Sequence, residues 1–498
     1  MQPYFIGADI GTGSAKAVAI NTERKVLATS QAFYSVIADK PCYSEQDPEV
    51  ILKAFLECIR NVVVQVKQAP AVISISSAMH SLMIADRVNH PLTRLLTWED
   101  TRSNAIAENL RKSSKGKSIY AATGTPIHSM APLCKIKWFR EHEDLIFKKA
   151  SKFISIKEFI WFHLFQEYEI DYSLASATGL FNLKNLTWHQ PSLSFCGIKP
   201  MQLSKPVATS FARKVVNEKI IKELQIDPDT KFCIGASDGC LANVGSNAIN
   251  KNTGALTIGT SGAVRIATRK PVINYSSMIF NYILDDKVYI SGGPVNNGGN
   301  VLKWMFATFL SNQSPDNNDY KKVFEKAKTI SPGAEGLIFL PYLYGERAPI
   351  WDENASGVFM GIRSFHTVYH FFRAAMEGIC FSLKNILHDL ESSSGNITQL
   401  NVSGGFVHSA LWMQILADIT AKKICRVQLQ DASCIGAALL GMKAQGLIEN
   451  YEAKNVTSKK LIIVPDSKNV AVYRKYFSLF EKQYPGLKTS IHLLNNFR

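Results

Sequence analysis

The sequence predicts an α/β protein built from two similar halves, and three observations carry that expectation. The 498-residue chain alternates short, apolar, strand-like runs with longer stretches of helical periodicity. A glycine-rich hairpin, Tyr4 to Ile20, stands at its start. The same pattern returns half a chain later: Ile10 to Ile20 aligns with Ile258 to Thr268, with five of eleven positions identical. Dividing the chain into 1–247 and 248–498 gives each half one hairpin.

Composition narrows the classes. The length suits two or three domains with sizeable cores. A 46% hydrophobic content and a mean hydropathy of −0.01 describe a globular chain. No apolar run approaches the roughly 18 residues of a membrane span. Met1-Gln2-Pro3-Tyr4 lacks the basic region of a signal peptide. Nine cysteines, scattered and without C-x-x-C, point to reduced thiols in a cytoplasmic protein rather than to a disulfide or metal framework. The net charge of +15 is spread along the chain. Its densest patch, Lys112 to Lys117, is rich in Ser and Gly and reads as a surface loop, not as a nucleic-acid track. Diffuse positive charge suits the attraction of small anionic substrates.

In the first hairpin an apolar run ends in a lone carboxylate, Asp9, and the turn Gly11-Thr12-Gly13-Ser14-Ala15 leads to Lys16. Glycines let backbone N–H groups approach an anion, and a carboxylate suits a metal ion better than a phosphate. Two phosphate-binding frames fail. Lys16 lacks the G-x-x-x-x-G-K-[ST] context, and it stands where a dinucleotide fingerprint needs its third glycine. Two short β-like runs follow, so the turn is the tip of an antiparallel hairpin. Taken alone, it reads equally as a glycine-rich turn with a solvated lysine.

Further along, Asp47-Pro48-Glu49 starts a helix with apolar residues at 51, 52, 55, 56, 59, 62 and 63. A strand over 71–76 runs into Ser77-Ala78-Met79-His80-Ser81, and Thr97-Trp98-Glu99-Asp100-Thr101-Arg102 follows. Helical patterns cover roughly 103–112, 131–142 and 157–166. A strand-like run over 231–239 carries Asp238 near its end. In the second half a glycine-rich turn at 291–300 feeds a helix to Phe309, and 312–319 reads as loop. A long helix runs from about Thr367 to Leu390, Ser403-Gly404-Gly405 ends a strand, and 431–441 makes a small-residue helix.

Two longer motifs resemble signature regions of the FGGY carbohydrate kinases, in the actin/Hsp70-like ATPase superfamily. One is Met130-Ala131-Pro132-Leu133-Cys134-Lys135-Ile136-Lys137-Trp138-Phe139-Arg140-Glu141-His142. The other is Gly357-Val358-Phe359-Met360-Gly361-Ile362 followed, after seven residues, by His370-Phe371-Phe372-Arg373-Ala374-Ala375-Met376-Glu377. The resemblance covers nearly the whole chain. Within the family the stretches 77–82, 97–102 and 170–182 are most similar to the gluconokinase branch, with the xylulokinase branch second. Glu99 and Asp431 depart from it, where Ala and Glu are usual. The resemblance implies two actin-like (ribonuclease H-like) α/β domains with an ATP/sugar cleft between them. It also implies ATP and Mg²⁺ as cofactors, a small-molecule sugar or sugar acid as substrate, no nucleic-acid or membrane partner, and room for a homodimer. A non-catalytic actin-like ATP-binding module is the alternative from a different class; the presence of both Asp9 and Asp238 argues against it.

The resemblance also assigns residues. Asp238 matches the catalytic Asp and is expected as the general base. Asp9 matches the position that holds Mg²⁺, through water because Mg²⁺ dehydrates reluctantly. Thr12, Gly13 and Lys16 are expected to face the phosphates from one domain, and Gly259, Thr260, Ser261 and Gly262 from the other. Gly404 and Gly405 match an adenosine-side turn, with Ala334 to Gly336 nearby. Met79, His80, Trp98, Asp100 and Arg102 are the sugar candidates. Trp98 offers an apolar face and Asp100 accepts hydroxyl hydrogen bonds. Arg102 either grips a substrate carboxylate or orients Asp100, and His80 either meets the sugar or is a packed residue. Lys157 is a further carboxylate candidate.

Overall fold

The computed structural model describes residues 2–427, 431–451, 461–495 and 497. They form two compact units. The first comprises Met1–Ile249, Thr268–Ile290 and Leu429–Lys454; the second comprises Asn250–Ala267, Ser291–Gln428 and Asn455–Arg498. The segments 268–290 and 431–451, placed with the C-terminal half on sequence, thus pack with the N-terminal one. Close approach of backbone explains the second of them. On the helix Ala432–Ala444, the carbonyl oxygen of Cys434 lies where a Cβ on Gly7 would stand, 1.7 Å away. Gly436 in turn admits the carbonyl of Leu241, 2.0 Å from its own would-be Cβ. The small-residue run makes a helix that lies directly on its neighbours' main chain.

The sheet of the first unit contains β1 Tyr4–Ile10, β2 Ser14–Asn21, β3 Val26–Phe33, β4 Val72–Ser77, β5 Ala212–Lys214 and β6 Lys231–Ser237. Their order is β5-β6-β4-β1-β2-β3. β1 and β2 form the expected hairpin, with Ile10 opposite Ala15, and β4 runs parallel to both β1 and β6. The helix Pro48–Val66 covers this sheet. Asp47 caps it by accepting from the Glu49 N–H, and all seven apolar positions of the sequence pattern are buried.

Six of the seven strands of the other large sheet are β7 Thr253–Ile258, β8 Gly262–Thr268, β9 Val288–Val295, β10 Gln399–Ser403, β11 Lys423–Arg426 and β12 Ile462–Ile463. They follow the order β9-β8-β7-β10-β11-β12. The antiparallel hairpin β7–β8 lies beside two parallel strands, β10 and β11, as β1–β2 lies beside β4 and β6. The repeat read from eleven residues therefore extends to whole sheets. The helix Val368–Ser394 supplies the long apolar face.

Two readings of the sequence needed correction, and one helix was not read at all. Lys112 to Lys117 is not a loop. Ser113 caps a helix, Ser114–Thr123, whose Gly116 packs on the Leu110 carbonyl. Residues 312–319 lead into a helix, Asn317–Lys328, opened by a capping box at Asp316. The helix Ser467–Asn495 carried no sequence expectation at all. None of the nine cysteines forms a disulfide. Among the described residues, no helix is long and apolar enough to cross a membrane.

The Gly7 contact has a measurable consequence. Gly7→Ala forces the helix Ala432–Ala444 off β1 and is expected to cost about 2–4 kcal/mol in denaturant unfolding. Gly486→Ala has open space within a helix and is expected to be neutral or to stabilise by up to ~1 kcal/mol.

Candidate active site

Strand register brings the two key carboxylates of the first unit to one sheet edge. Asp9 pairs with Ser76 on β4, and Ser237 on β6 pairs with Ser77. Asp9 and Asp238 therefore emerge at the same ends of parallel strands, two strand spacings or about 10 Å apart. Asp238 is half-buried and opens the helix Asp238–Gly245, capped by the Ser237 hydroxyl. Asp9 accepts from the hydroxyls of Ser76 and Ser433. Burial pushes the Asp9 carboxyl up from its ordinary range, and the two hydroxyls, Lys16 and Lys157 oppose that push. Such a carboxylate, beside a glycine-rich turn, fits a Mg²⁺ that keeps its waters and takes other ligands from phosphates. Among the described residues no three His, Cys, Asp or Glu cluster as an all-protein cage.

The tip Gly11-Thr12-Gly13 turns its carbonyls inward. The Tyr34 hydroxyl donates to Gly11 O at 2.6 Å, the Gln46 amide to Thr12 O at 2.6 Å and the Tyr34 N–H to Gly13 O at 3.2 Å. The Gly11 N–H is used within the hairpin, donating to Ser14 O at 3.0 Å, so the N–H groups of Thr12 and Gly13 are the candidate anion donors of the tip. Lys16 is ion-paired with Asp431, one of the two residues that depart from the family pattern. The Trp98 indole N–H donates to the Thr12 hydroxyl at 3.1 Å. Thr12, Met79 and Trp98 line one small cavity of about 10 Å³, so hairpin tip and sugar-side loops are neighbours.

The sugar candidates divide. Met79, His80 and Trp98 are half-buried. His80 has a left-handed backbone, φ 66°, and its ring meets the Tyr282 hydroxyl at 3.2 Å. Asp100 is fully buried. It accepts from Arg102 Nε and Nη2, at 2.9 and 2.7 Å, and from the Ser44 N–H at 3.0 Å. Arg102 also donates to Glu45 at 2.5 Å and stacks 3.5 Å above the Tyr43 ring. Nε and Nη2 of the guanidinium are thus committed to Asp100 and Glu45. Lys157, the further carboxylate candidate, is 1% exposed and paired with Asp171 at 2.8 Å. Glu99 is exposed.

Sequence reasoning missed the support for these loops. Lys135, fully buried, donates to His80 O at 2.7 Å and to Thr97 O at 2.6 Å. Burial pushes its ammonium down to about 7, with Asp100 opposing. Its place in a signature motif was the only signal. Tyr282 gave none.

The second unit holds the other glycine turns together. Gly259 O accepts from the Gly299 N–H at 2.7 Å and Thr260 O from the Asn300 N–H at 3.3 Å, so the helix Gly299–Phe309 starts on the hairpin tip. Thr257 on β7 pairs with Ser403 on β10. That pairing brings Gly404, φ 100°, against the Ile258 carbonyl, 2.2 Å from its would-be Cβ. Gly259, Thr260 and Gly405 border a cavity of about 1320 Å³, room enough for a nucleotide. Ser261 and Gly262 continue the tip into β8. Tyr320 and Phe324, one helical turn apart, and Trp412 and Gln414 add an aromatic and polar wall that the sequence reading had not found. Ile330 and Pro332 belong to that wall, whereas Ala334 to Gly336 form a left-handed turn beyond it.

Comparison with known proteins decides the family. Residues 4–245 match the N-terminal domain, and residues 254–445 the C-terminal domain, of the FGGY family of carbohydrate kinases. The chain belongs to that family. As a carbohydrate kinase it has a sugar and ATP as its small-molecule substrates. A gluconokinase of Bacillus subtilis (strain 168) is 41% identical over 463 residues, 91% of this chain and 90% of its own length. Two solved structures from Lactobacillus acidophilus are each 35% identical. A gluconate kinase superposes with a TM-score of 0.94, and a ligand-bound xylulose kinase with 0.93. Each covers 99% of this chain and 100% of its own.

Lys135→Met leaves two buried carbonyls without their donor. The variant is expected to lose about 2–4 kcal/mol of stability and to raise KM for the sugar roughly tenfold or more while KM for ATP stays within about twofold. Steady-state kinetics with each substrate varied in turn checks the split.

Proposed function

We propose that this kinase is a gluconokinase, transferring the γ-phosphoryl group of ATP to D-gluconate and giving 6-phosphogluconate and ADP. The observation that carries the reading is the 41% identity to the Bacillus subtilis gluconokinase over nine-tenths of both chains. Nine cysteines without a disulfide support a reducing, cytoplasmic setting.

In phosphoryl transfer the protein's task is alignment and charge stabilisation. Asp238 takes the proton from the attacking sugar hydroxyl as the oxygen–phosphorus bond forms and the bond to ADP breaks. Asp9 would hold a water-clad Mg²⁺, which when bound neutralises phosphate charge. Thr12, Gly13 and Lys16 attend the phosphates from the first unit, with Lys16 leaving Asp431 to do so. Gly259, Thr260, Ser261 and Gly262 attend them from the second unit, where Gly404 and Gly405 border the nucleoside. Met79, His80 and Trp98 contact the sugar, with Asp100 and Arg102 as the rigid pair behind them.

Xylulose is the second reading. The equal likeness to the Lactobacillus acidophilus xylulose kinase favours it, and so does the engagement of Arg102 by two carboxylates. A coupled ADP-release assay over gluconate, xylulose, glycerol, ribulose and fuculose separates them. Gluconate is expected to give the highest kcat/KM, by about tenfold or more; the reverse order overturns the gluconate reading. Asp238→Asn is expected to leave less than about 1% of kcat with ATP binding intact by calorimetry. Turnover above that level removes Asp238 from the base role.

A further inference from the structure

The strand that delivers Asp238 is irregular just before it. The pairing of β6 with β4 shifts register between Cys233 and Ala236. Gly235 stands there at φ 72°, and any Cβ on it would lie 2.0 Å from the Ile75 carbonyl oxygen. Such a bulge re-aims the end of a strand and frees carbonyls from the ladder. Lys157 meets them. From the first turn of the helix Ile156–Phe165, its ammonium donates to Ile234 O at 2.9 Å and to Ala236 O at 3.1 Å, and to Asp171 at 2.8 Å. All three of its donors are thereby used.

The partner closes a circuit. The other oxygen of Asp171 accepts from the Leu174 N–H at 2.9 Å, capping the helix Tyr172–Ser176. On that helix the Ser173 hydroxyl donates to Ser237 Oγ at 3.0 Å and accepts from the Ser237 N–H at 3.1 Å. Ser237 is the residue before Asp238 and the cap of the helix that Asp238 opens. The turn is thus held from the strand side by Lys157 and from the cap side by Ser173.

We propose that Lys157, with Asp171, is a positioning residue for the reaction: it fixes the bulge at Gly235 and so sets where the Asp238 carboxylate stands. The inference rests on Asp238 as the base. Stability alone gives the pair little reason to exist, because a buried ion pair often does no better than neutral side chains of the same size. Precise placement does, since an error of about 1 Å at a reacting group can cost roughly a hundredfold in rate.

The test replaces the pair by Lys157→Met with Asp171→Asn, which keeps an N-cap acceptor and leaves no orphan charge. In the full-length enzyme kcat is expected to fall about tenfold to a hundredfold, with both KM values within about threefold. In an Asp238→Asn background the same replacement is expected to cost no more than about threefold, because the base it positions is already gone. Ser173→Ala, a mild change, reads the other side of the circuit and is expected to lower kcat about three- to tenfold at constant KM. If the pair replacement fails to fold, Ser173→Ala decides alone: unchanged kcat overturns the proposal. So does a folded pair variant with kcat within about twofold of wild type, or a loss that multiplies fully with Asp238→Asn. An active Asp238→Asn enzyme defeats the base assignment itself. A dead Asp238→Asn enzyme beside a fully active pair variant defeats only the role of Lys157.

Discussion

Main-chain carbonyls that leave a regular ladder inside a protein must find a donor, and in the first unit two buried lysines supply it. Lys135 serves the carbonyls of His80 and Thr97; Lys157 serves those of Ile234 and Ala236. Every one of these carbonyls belongs to a segment that is neither helix nor straight strand at the point where it carries a site residue. An unsatisfied buried carbonyl costs about 1–3 kcal/mol, so each lysine makes two adjacent irregularities affordable at once. Irregular backbone is what lifts His80, Trp98 and Asp238 out of the repeating geometry of the sheet. The ammonium groups are therefore a condition of the site, although neither is exposed to it.

A second constraint is how near main chains can come. The helix Ala432–Ala444 lies on β1 because Gly7 has no side chain and the helix is built of small residues. That contact puts the Ser433 hydroxyl on Asp9 and Asp431 on Lys16. A segment more than 400 residues away in sequence thus completes the surroundings of the first hairpin. In the second unit Gly404 does the corresponding work, letting the end of β10 close against the hairpin β7–β8.

Legibility in the sequence followed the range of the interaction. The hairpin at Asp9, its echo at 258–268 and the helix Pro48–Val66 rest on local turn chemistry and periodicity, and they are where the sequence put them. The helix Asn317–Lys328 went unread because its polar start outweighed its few apolar positions, and with it went Tyr320 and Phe324. Roles that depend on distant partners were not legible. Lys157 looks like any lysine opening a helix until Ile234 and Ala236, 77 and 79 residues on, are seen against it. The same holds for Arg102, whose partner Glu45 lies 57 residues back.

Arg102 also bears on substrate choice. Asp100 is buried, and Arg102 supplies most of its hydrogen bonds. Taking the guanidinium away for a substrate carboxylate would leave a buried charge without its partner, a change that typically costs about 3–5 kcal/mol. The incoming carboxylate would have to repay that cost as well as its own desolvation, while Glu45 competes for the same fork. The arrangement is therefore self-contained: Arg102 and Asp100 form a rigid floor, steadied by the Tyr43 ring, that holds the loop carrying Trp98. Discrimination between a sugar acid and a ketose therefore does not rest on Nε or Nη2 of this guanidinium, which Asp100 and Glu45 hold. It has to arise where a substrate carboxylate meets donors not already committed to the protein, or through the shape of the cavity that Met79 and Trp98 line.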